Sequence, residues 1–239
     1  MQNSVHFVLQ GKGGIGKTLV SALIAQWIDE TQPGTLRGFD TDQENATFNS
    51  YQGLNVELVN VMNSDRTINR KMFDKMLLAI FESSGNIVVD NGANTFSPLM
   101  SYLIENDFLG MLQEAGKKVY IHTIIGGGDN LKDTTAGFVS LAQQTSCPMV
   151  VWLNENASWG GTDDFIESDV FATNSHHVKG VVLLQGRNSD TFGDDIRRMN
   201  KSRMTLKQIM ADDKFNILER SRLSTVVRDV FKKLDMVEW

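Results

Sequence analysis

The sequence predicts an α/β protein with three layers, α/β/α, built around a mostly parallel, doubly wound sheet. Short apolar runs rich in β-branched residues alternate with longer segments of helical periodicity, which is the pattern of successive β-α-β units. Several of these runs lack an alternation of apolar and polar residues, as expected for strands that helices cover on both faces. A glycine-rich turn joins the first apolar run to the first helical segment, as in many folds of this class.

The order of the elements follows from these patterns. The predicted strands are 5–9, 36–39, 57–61, 87–90, 119–125, 149–153 and 178–184. The predicted helices are 17–30, 69–83, 98–115, 131–144 and a weaker one near 163–172, followed by two near the end of the chain. The chain has 239 residues and neither an internal repeat nor a proline-rich linker, so we expect a single domain, 1–239, with 187–239 as its helical C-terminal part.

The composition is that of a folded, water-soluble protein. Hydrophobic residues make up 41% and charged residues 22%, which excludes disordered and fibrous classes. Cys147 is the only cysteine, which excludes an internal disulfide and a cysteine-based metal site. The N-terminal residues lack the basic region of a secretion signal, and no run of 18 apolar residues occurs. We therefore expect a cytoplasmic protein.

The C-terminal fifth has a different charge from the rest of the chain. The net charge is -6, yet residues 187–233 contain 12 Lys and Arg against 7 Asp and Glu. This basic stretch is either a set of solvated helix faces or a surface for DNA. Residues 220–239 also carry an apolar stripe at helical spacing, which predicts docking on the core or a dimer contact. Acidic residues dilute its basic face, so we do not expect it to bind a membrane.

The turn at residues 11–18 reads GKGGIGKT and fulfils the template G-x-x-x-x-G-K-[ST] of a phosphate-binding loop, or P-loop. Its glycines let successive backbone N–H groups point at phosphate oxygens, and the helix that follows adds the positive end of its dipole. Lys17 is placed to neutralise the β- and γ-phosphates, and the Thr18 hydroxyl to ligate Mg²⁺. The residues predicted to bind nucleotide here are Gly11, Gly13, Gly14, Ile15, Gly16, Lys17 and Thr18.

Acidic residues end two other predicted strands. Asp90 follows the apolar run 87–89 and is predicted to hold Mg²⁺, and the backbone N–H of Gly92 is predicted to reach the γ-phosphate. Asp40 ends a short strand and Asp42 follows it in a polar loop. Either carboxylate is placed to position the attacking water or the water shell of the metal.

These residues resemble a known family. The run from Lys12 to Thr18 is similar to the K-G-G-x-[GT]-K-[ST] signature, a "deviant" Walker A motif, of the ParA/MinD ATPases. The segments FDTDQENATF, VVDNGANTFSPL and VVWLN look most like those of the TraL/StbB-type transfer and stability ATPases of conjugative plasmids. The resemblance covers residues 5–185 in the expected order and becomes faint after Gly186.

The resemblance implies a role for each matching position. Lys12 resembles the signature lysine, which crosses to the partner's nucleotide in an ATP-bound dimer. Asp42 resembles the aspartate that orients the attacking water, with Asp40 near the metal, although the loop lacks the usual proline and is one residue shorter. Asn154 resembles an asparagine that contacts adenine, and the absence of an N-K-x-D motif favours ATP over GTP.

These expectations combine into a function. The sequence predicts an ATPase in which Lys12, Lys17 and Asp42 act in catalysis and Thr18, Asp40 and Asp90 hold Mg²⁺. The resemblance implies an ATP-dependent homodimer that acts as a switch in plasmid partition or conjugal transfer, with a DNA-binding adaptor or a conjugation protein as partner. Direct non-specific DNA binding and association with the nucleoid remain open. The alternatives are a P-loop phosphotransferase on a small metabolite, or a nucleotide-gated binding module with negligible turnover.

Overall fold

The computed structural model describes residues 3–156 and 159–239. In these residues a sheet of seven strands has the order β3-β2-β4-β1-β5-β6-β7, and every neighbouring pair is parallel. The strands are β1 (Ser4–Val8), β2 (Leu36–Asp40), β3 (Val56–Leu58), β4 (Asn86–Asp90), β5 (Lys118–Gly126), β6 (Met149–Asn154) and β7 (Val178–Leu184). Parallel pairing brings all carboxyl ends to one edge of the sheet, so the loops that follow the strands share that edge.

Helices cover both faces of the sheet. One face carries α2 (Phe73–Glu82), α3 (Phe96–Glu105), α4 (Phe108–Glu114), α5 (Leu131–Gln144), α6 (Asp163–Ile166) and α7 (Asp169–Asn174). The other face carries α1 (Lys17–Thr31), α8 (Asp194–Ser202), α9 (Leu206–Ala211) and α10 (Ile217–Asp235). Each face has its own apolar core, because side chains that alternate along the central strands point to opposite faces. The predicted three-layer α/β/α class is confirmed.

The structure differs from the predicted elements at four places. The C-terminal part contains three helices, α8, α9 and α10, where two were predicted. The segment predicted as one helix, 98–115, is two helices, because Asp107 adopts a left-handed conformation with φ 47°. The strand predicted at 57–61 ends at Leu58, and the N–H groups of Val61 and Met62 both donate to Oε1 of Gln43 instead of to a strand. The weak helix near 163–172 is the pair α6 and α7, separated at Ser168, whose side chain caps the second helix.

The C-terminal helix is docked on the sheet. Helix α10 begins with a capping box formed by Asn216 and Glu219, and its apolar stripe is buried against α1 and β7. Past its end, Val237 fills the space above Gly180, where an added Cβ would lie 2.8 Å from a Val237 methyl group. The predicted core docking of this segment is therefore what the structure shows. None of the described helices is long and apolar enough to cross a membrane.

A chain of buried polar side chains runs under this C-terminal segment. The indole nitrogen of Trp152, which can only donate, bonds Nδ1 of His122 at 3.0 Å, so His122 carries its proton on Nε2. That Nε2 donates to Nδ1 of His6 at 2.8 Å, and Nε2 of His6 donates to Oγ of Ser4 at 2.9 Å. Both imidazoles are fully buried and neutral, since burial lowers the pKa of His6 to about 3 and that of His122 well below its ordinary value.

Candidate functional site

The loop at residues 11–18 lies at the carboxyl end of the central strand β1, and α1 begins inside it at Lys17. Gly14 and Gly16 have φ values of 71° and 101°, which residues with a Cβ rarely adopt. No side chain caps the helix, so its first N–H groups and the positive end of its dipole remain available to a ligand. These are the properties of an anion-binding loop.

The remaining loop residues are fixed by their neighbours. Gly11 lies against the ring of Phe96, which would be 3.1 Å from an added Cβ. The side chain of Ile15 is buried and its carbonyl oxygen accepts a hydrogen bond from Nδ2 of Asn154 at 2.9 Å. The strand-ending Asn154 therefore connects β6 to the phosphate loop. Its side chain also lies 3.0 Å from the position of an added Cβ on Gly16, so this loop has little room for a larger residue.

Lys17 is directed inward. Its side chain is largely buried, with the residue 8% exposed, and Nζ donates to the main-chain oxygen of Lys12 at 2.7 Å. Burial lowers the pKa of Lys17, while the nearby carboxylates of Asp90 and Asp42 raise it. The ammonium group thus lies in the phosphate loop, beside the acidic residues predicted for the metal and the water.

Asp90 forms the buried end of β4 and is held by α1. One carboxylate oxygen accepts from Oγ1 of Thr18 at 2.7 Å, and the other accepts from Oγ of Ser21 at 2.8 Å. Burial is the main cause that raises the pKa of Asp90 to about 7, and repulsion from Asp40 adds to it. Ser21 was not predicted from the sequence. The signal for it is its position one helical turn after Thr18, on the same face of α1.

The pair Thr18 and Asp90 fits a magnesium ion. Both offer hard oxygen ligands, and Mg²⁺ characteristically takes one or two such protein ligands and completes its shell with water and phosphate oxygens. A divalent cation would also relieve the electrostatic cost of a buried carboxylate next to a second one. The chemistry of these two side chains therefore suits a divalent cation.

Asp40 has a different environment. Its Oδ1 accepts from the backbone N–H of Asp42 at 2.9 Å, and its Oδ2 accepts from those of Phe48 and Asn49 at 2.9 and 3.0 Å. Burial raises the pKa of this carboxyl, and these three hydrogen bonds lower it. Through these bonds Asp40 holds the two ends of the loop of residues 41–49 together. The role of Asp40 as a metal ligand stays a prediction.

Asp42 lies on the exposed side of the same loop, close to Gly92. Its Oδ1 accepts a hydrogen bond from the N–H of Asn45 at 3.1 Å. Within residues 3–156 and 159–239, no protein group donates a hydrogen bond to its Oδ2. A Cβ added to Gly92 would lie 3.0 Å from Cβ and Cγ of Asp42. Glycine at position 92 therefore allows the Asp42 loop to approach the loop that follows β4.

A cavity of about 480 Å³ adjoins the phosphate loop on the α1 side of the sheet. Apolar side chains from α1, α8 and α10 line it together with Asn154, which is suitable for the flat apolar face and polar edge of a base. Its walls include Gly16, Leu19, Leu23, Asn154, Ile196 and Val227. Most of these walls could not be predicted from the sequence, because ordinary apolar helix residues from distant segments form them.

Lys12 points away from the phosphate loop to the start of α5. Its Nζ lies 2.8 Å from Oδ2 of Asp133, and the two side chains are 36% and 57% exposed. The hydrogen bond and positive charge of Lys12 lower the pKa of Asp133. Nearby, Nε2 of Gln10 donates to the main-chain oxygens of Ile124 and Thr134 at 3.0 and 3.2 Å, which fixes α5 beside the phosphate loop. Sequence reasoning missed Asp133, which is 121 positions from its partner.

Some known proteins resemble this chain in sequence and others resemble it in fold. No family model matches it. Two Escherichia coli proteins named Protein TraL are 39% and 37% identical to it over 238 and 237 residues, with 97% of both chains covered in each case.

Among solved structures, the MinD cell division protein of Aquifex aeolicus has a TM-score of 0.54 at 15% identity, with 97% of each chain covered. A ParA family ATPase from Chlorobium tepidum TLS has a TM-score of 0.56 at 13% identity, covering 97% of this chain and 98% of that one. At these identities the structural likeness establishes the fold, whereas the sequence likeness to TraL extends over nearly the whole chain. The chain therefore belongs to the TraL family and has the fold of the ParA and MinD proteins.

Proposed function

We propose that this protein is a Mg²⁺-dependent ATPase that dimerises when it binds ATP and acts as a nucleotide switch in conjugal DNA transfer or plasmid stability. The observation that carries the proposal is the opposite placement of the two lysines of the phosphate loop. Lys17 is buried beside Asp90, whereas Lys12 is directed outward and forms an ion pair with the exposed carboxylate of Asp133. A lysine at the surface of a nucleotide site is positioned to serve a second molecule.

The chemistry follows from these placements. Phosphoryl transfer requires stabilisation of charge on the γ-phosphate more than it requires covalent catalysis. Lys17 and the N–H groups at the start of α1 would hold the phosphates, and Thr18 and Asp90 would hold Mg²⁺, which neutralises phosphate charge. Asp42 would orient the water whose oxygen attacks the γ-phosphorus while the bond to the bridging oxygen breaks. A single copy then lacks one cation, and Lys12 of a second copy would supply it.

The partner and location belong to the same proposal. A DNA-bound adaptor or a conjugation protein in the cytoplasm would accelerate hydrolysis by favouring the dimer. Two residues of the basic stretch 187–233, Arg197 and Arg198, form ion pairs with Asp194 and Glu219. This pairing favours solvated helix faces over a surface prepared for direct DNA contact.

Hydrolysis measured against protein concentration tests the proposal. The rate per molecule should rise with concentration and level off as the dimer saturates, and light scattering should show dimers with a non-hydrolysable ATP analogue but not with ADP. Lys12→Ala should abolish the rise, while Lys75→Ala, which removes an exposed lysine on α2, should leave it unchanged. A rate per molecule that is independent of concentration, with Lys12→Ala equal to the wild type, would contradict the proposal.

A further inference from the structure

The two loops that carry Asp42 and Gly92 are joined by buried hydroxyl groups. We name residues 41–49 the Asp42 loop and residues 91–95 the Gly92 loop. Oγ1 of Thr41 lies 3.0 Å from Oγ1 of Thr95, and both side chains are buried. The N–H of Thr41 also donates to the main-chain oxygen of Asp90 at 3.0 Å. The first residue of one loop is therefore bound to the last residue of the other.

The hydroxyl contact belongs to a longer chain of hydrogen bonds with two possible directions. Nδ2 of Asn91 donates to Oγ1 of Thr95 at 2.8 Å, so Thr95 already accepts one bond. Each hydroxyl has a single proton. Either Thr41 donates to Thr95, which donates to the oxygen of Gly92 at 3.0 Å, or Thr95 donates to Thr41, which donates to the oxygen of Asp90 at 3.2 Å. In either direction the last acceptor is a main-chain oxygen, that of Gly92 or that of Asp90, and both lie within two residues of the Gly92 N–H that is predicted to contact the γ-phosphate.

Contacts further along the loops strengthen the connection. Gly92 and Asp42 approach so closely that a Cβ on the glycine would lie 3.0 Å from the aspartate side chain. Nδ2 of Asn94 donates to Oε2 of Glu44 at 2.9 Å. Within the Asp42 loop, the carboxylate of Asp40 bonds N–H groups at both ends. A displacement of the Gly92 loop would therefore carry the Asp42 loop with it as one body.

We propose that Thr95 is a positioning residue that acts through Thr41, so that a phosphate bound at the Gly92 loop sets the position of Asp42. This inference rests on the proposed function and concerns the regulation of its site. The buried hydroxyl pair is its physical basis, since a hydrogen bond away from water resists separation more than an exposed one. The buried Oδ1 of Asn91 has no hydrogen-bond partner in the described part of the chain, so this side chain can accept one further donor within the network.

Amide hydrogen exchange of the two loops tests the inference. With Mg²⁺ and a non-hydrolysable ATP analogue, both loops of the wild-type protein should gain protection over the same analogue concentrations, whereas ADP should protect neither to that extent. Thr95→Val removes the hydroxyl at nearly constant shape, and there only residues 91–95 should respond. Thr95→Ser should restore the response of residues 41–49. Thr35→Val, which removes a hydroxyl just before β2 at the opposite edge of the sheet, is the control and should behave as the wild type.

Kinetics give a second readout. Thr95→Val removes the contact with Thr41 together with the bond from Asn91, and the contact with Thr41 alone corresponds to about a 3- to 10-fold change. The variant should therefore lower kcat by at least about that factor while KM changes less than about twofold. A merely structural defect would raise KM as well. If Thr95→Val does not fold, Thr41→Val tests the same contact from the other loop, and independent responses of the two loops in the wild-type protein already overturn the inference.

The inference and the proposed function fail in different ways. A response of residues 41–49 in Thr95→Val that equals the wild-type response overturns the inference, whatever the rate of hydrolysis. A wild-type protein that hydrolyses no ATP at any concentration overturns the proposed function, while joint protection of the two loops would still support the inference.

Discussion

The ion pair between Lys12 and Asp133 should restrain dimerisation in the free protein. If Lys12 crosses to the nucleotide of a second copy, it must first leave Asp133, which its Nζ contacts at 2.8 Å. The substitution Asp133→Asn keeps the size of the side chain and removes the charge that holds the lysine. We therefore expect the variant to form the ATP-dependent dimer more readily than the wild type.

The structure sets the size of this effect. The side chains of Lys12 and Asp133 are 36% and 57% exposed, and ion pairs exposed to this degree change an equilibrium by about 1.4- to 5-fold. Each dimer breaks two such pairs, one in each copy. The dimerisation constant of Asp133→Asn should therefore exceed that of the wild type by about 2- to 25-fold at low salt, because two independent factors multiply.

Analytical ultracentrifugation with Mg²⁺ and a non-hydrolysable ATP analogue measures this constant. Asp129→Asn removes an exposed negative charge from the same connection between β5 and α5 and is the matched control. Salt at about 0.5 M should bring variant and wild type together, because the screening length falls to a few ångströms. An Asp133→Asn protein that dimerises no better than Asp129→Asn at low salt would refute the reasoning.

Three further predictions concern the site and the core. Gly16→Ala should fold but lose nucleotide binding. A φ of 101° costs a residue with a Cβ about 1–3 kcal/mol, and the added methyl group would contact Asn154. Calorimetry with Mg²⁺-ATP measures the affinity, and an affinity equal to that of the wild type would contradict the prediction. Ser21→Ala should weaken Mg²⁺-dependent binding by about 3- to 10-fold, since it removes one of the two hydroxyls that orient Asp90, and equal affinity with and without the hydroxyl would exclude this role. The folded-state pKa of His6, about 3, lies below the unfolded value, and burial lowers the pKa of His122 in the same direction, so the stability contribution of both is complete above pH 6.5 and is lost as the pH falls. For His6 alone, urea unfolding should show a loss of about 2 kcal/mol between pH 7 and 5, and the total loss should be smaller in His122→Gln than in the wild type.

The predictions that the structure confirms were made from short, contiguous sequence patterns. The apolar strands and the phosphate loop are local in sequence, and a parallel sheet brings the ends of β1 and β4 together without further information. The placement of Asp90 next to Thr18 could therefore be predicted from two short motifs. The helix break at Asp107 could not, since the segment keeps its apolar periodicity and only the backbone conformation of one residue interrupts it.

Features that depend on contacts between residues far apart in the sequence could not be predicted. Asp133 is an ordinary helix residue in the sequence, and it becomes part of the site only because Gln10 fixes α5 beside the phosphate loop. Asp40 and Asp42 illustrate the same limit. Asp40 ends β2 and Asp42 lies two residues later. Only the three N–H groups bonded to Asp40 distinguish it, as the residue that orders the loop, from Asp42, which faces the site.

The central claim is that a second copy of the chain completes the site with its Lys12, and mixing two inactive variants tests it directly. In a mixed dimer of Lys12→Ala and Asp42→Ala, one site keeps its own Asp42 and receives an intact Lys12 from the other copy. The account predicts that each variant alone is inactive and that an equal mixture recovers about a quarter of the wild-type rate, since about half of randomly paired dimers are mixed and each has one complete site. A mixture that remains as inactive as its components, although mixed dimers form, would contradict the claim. It would indicate that Lys12 acts on the nucleotide bound by its own copy of the chain.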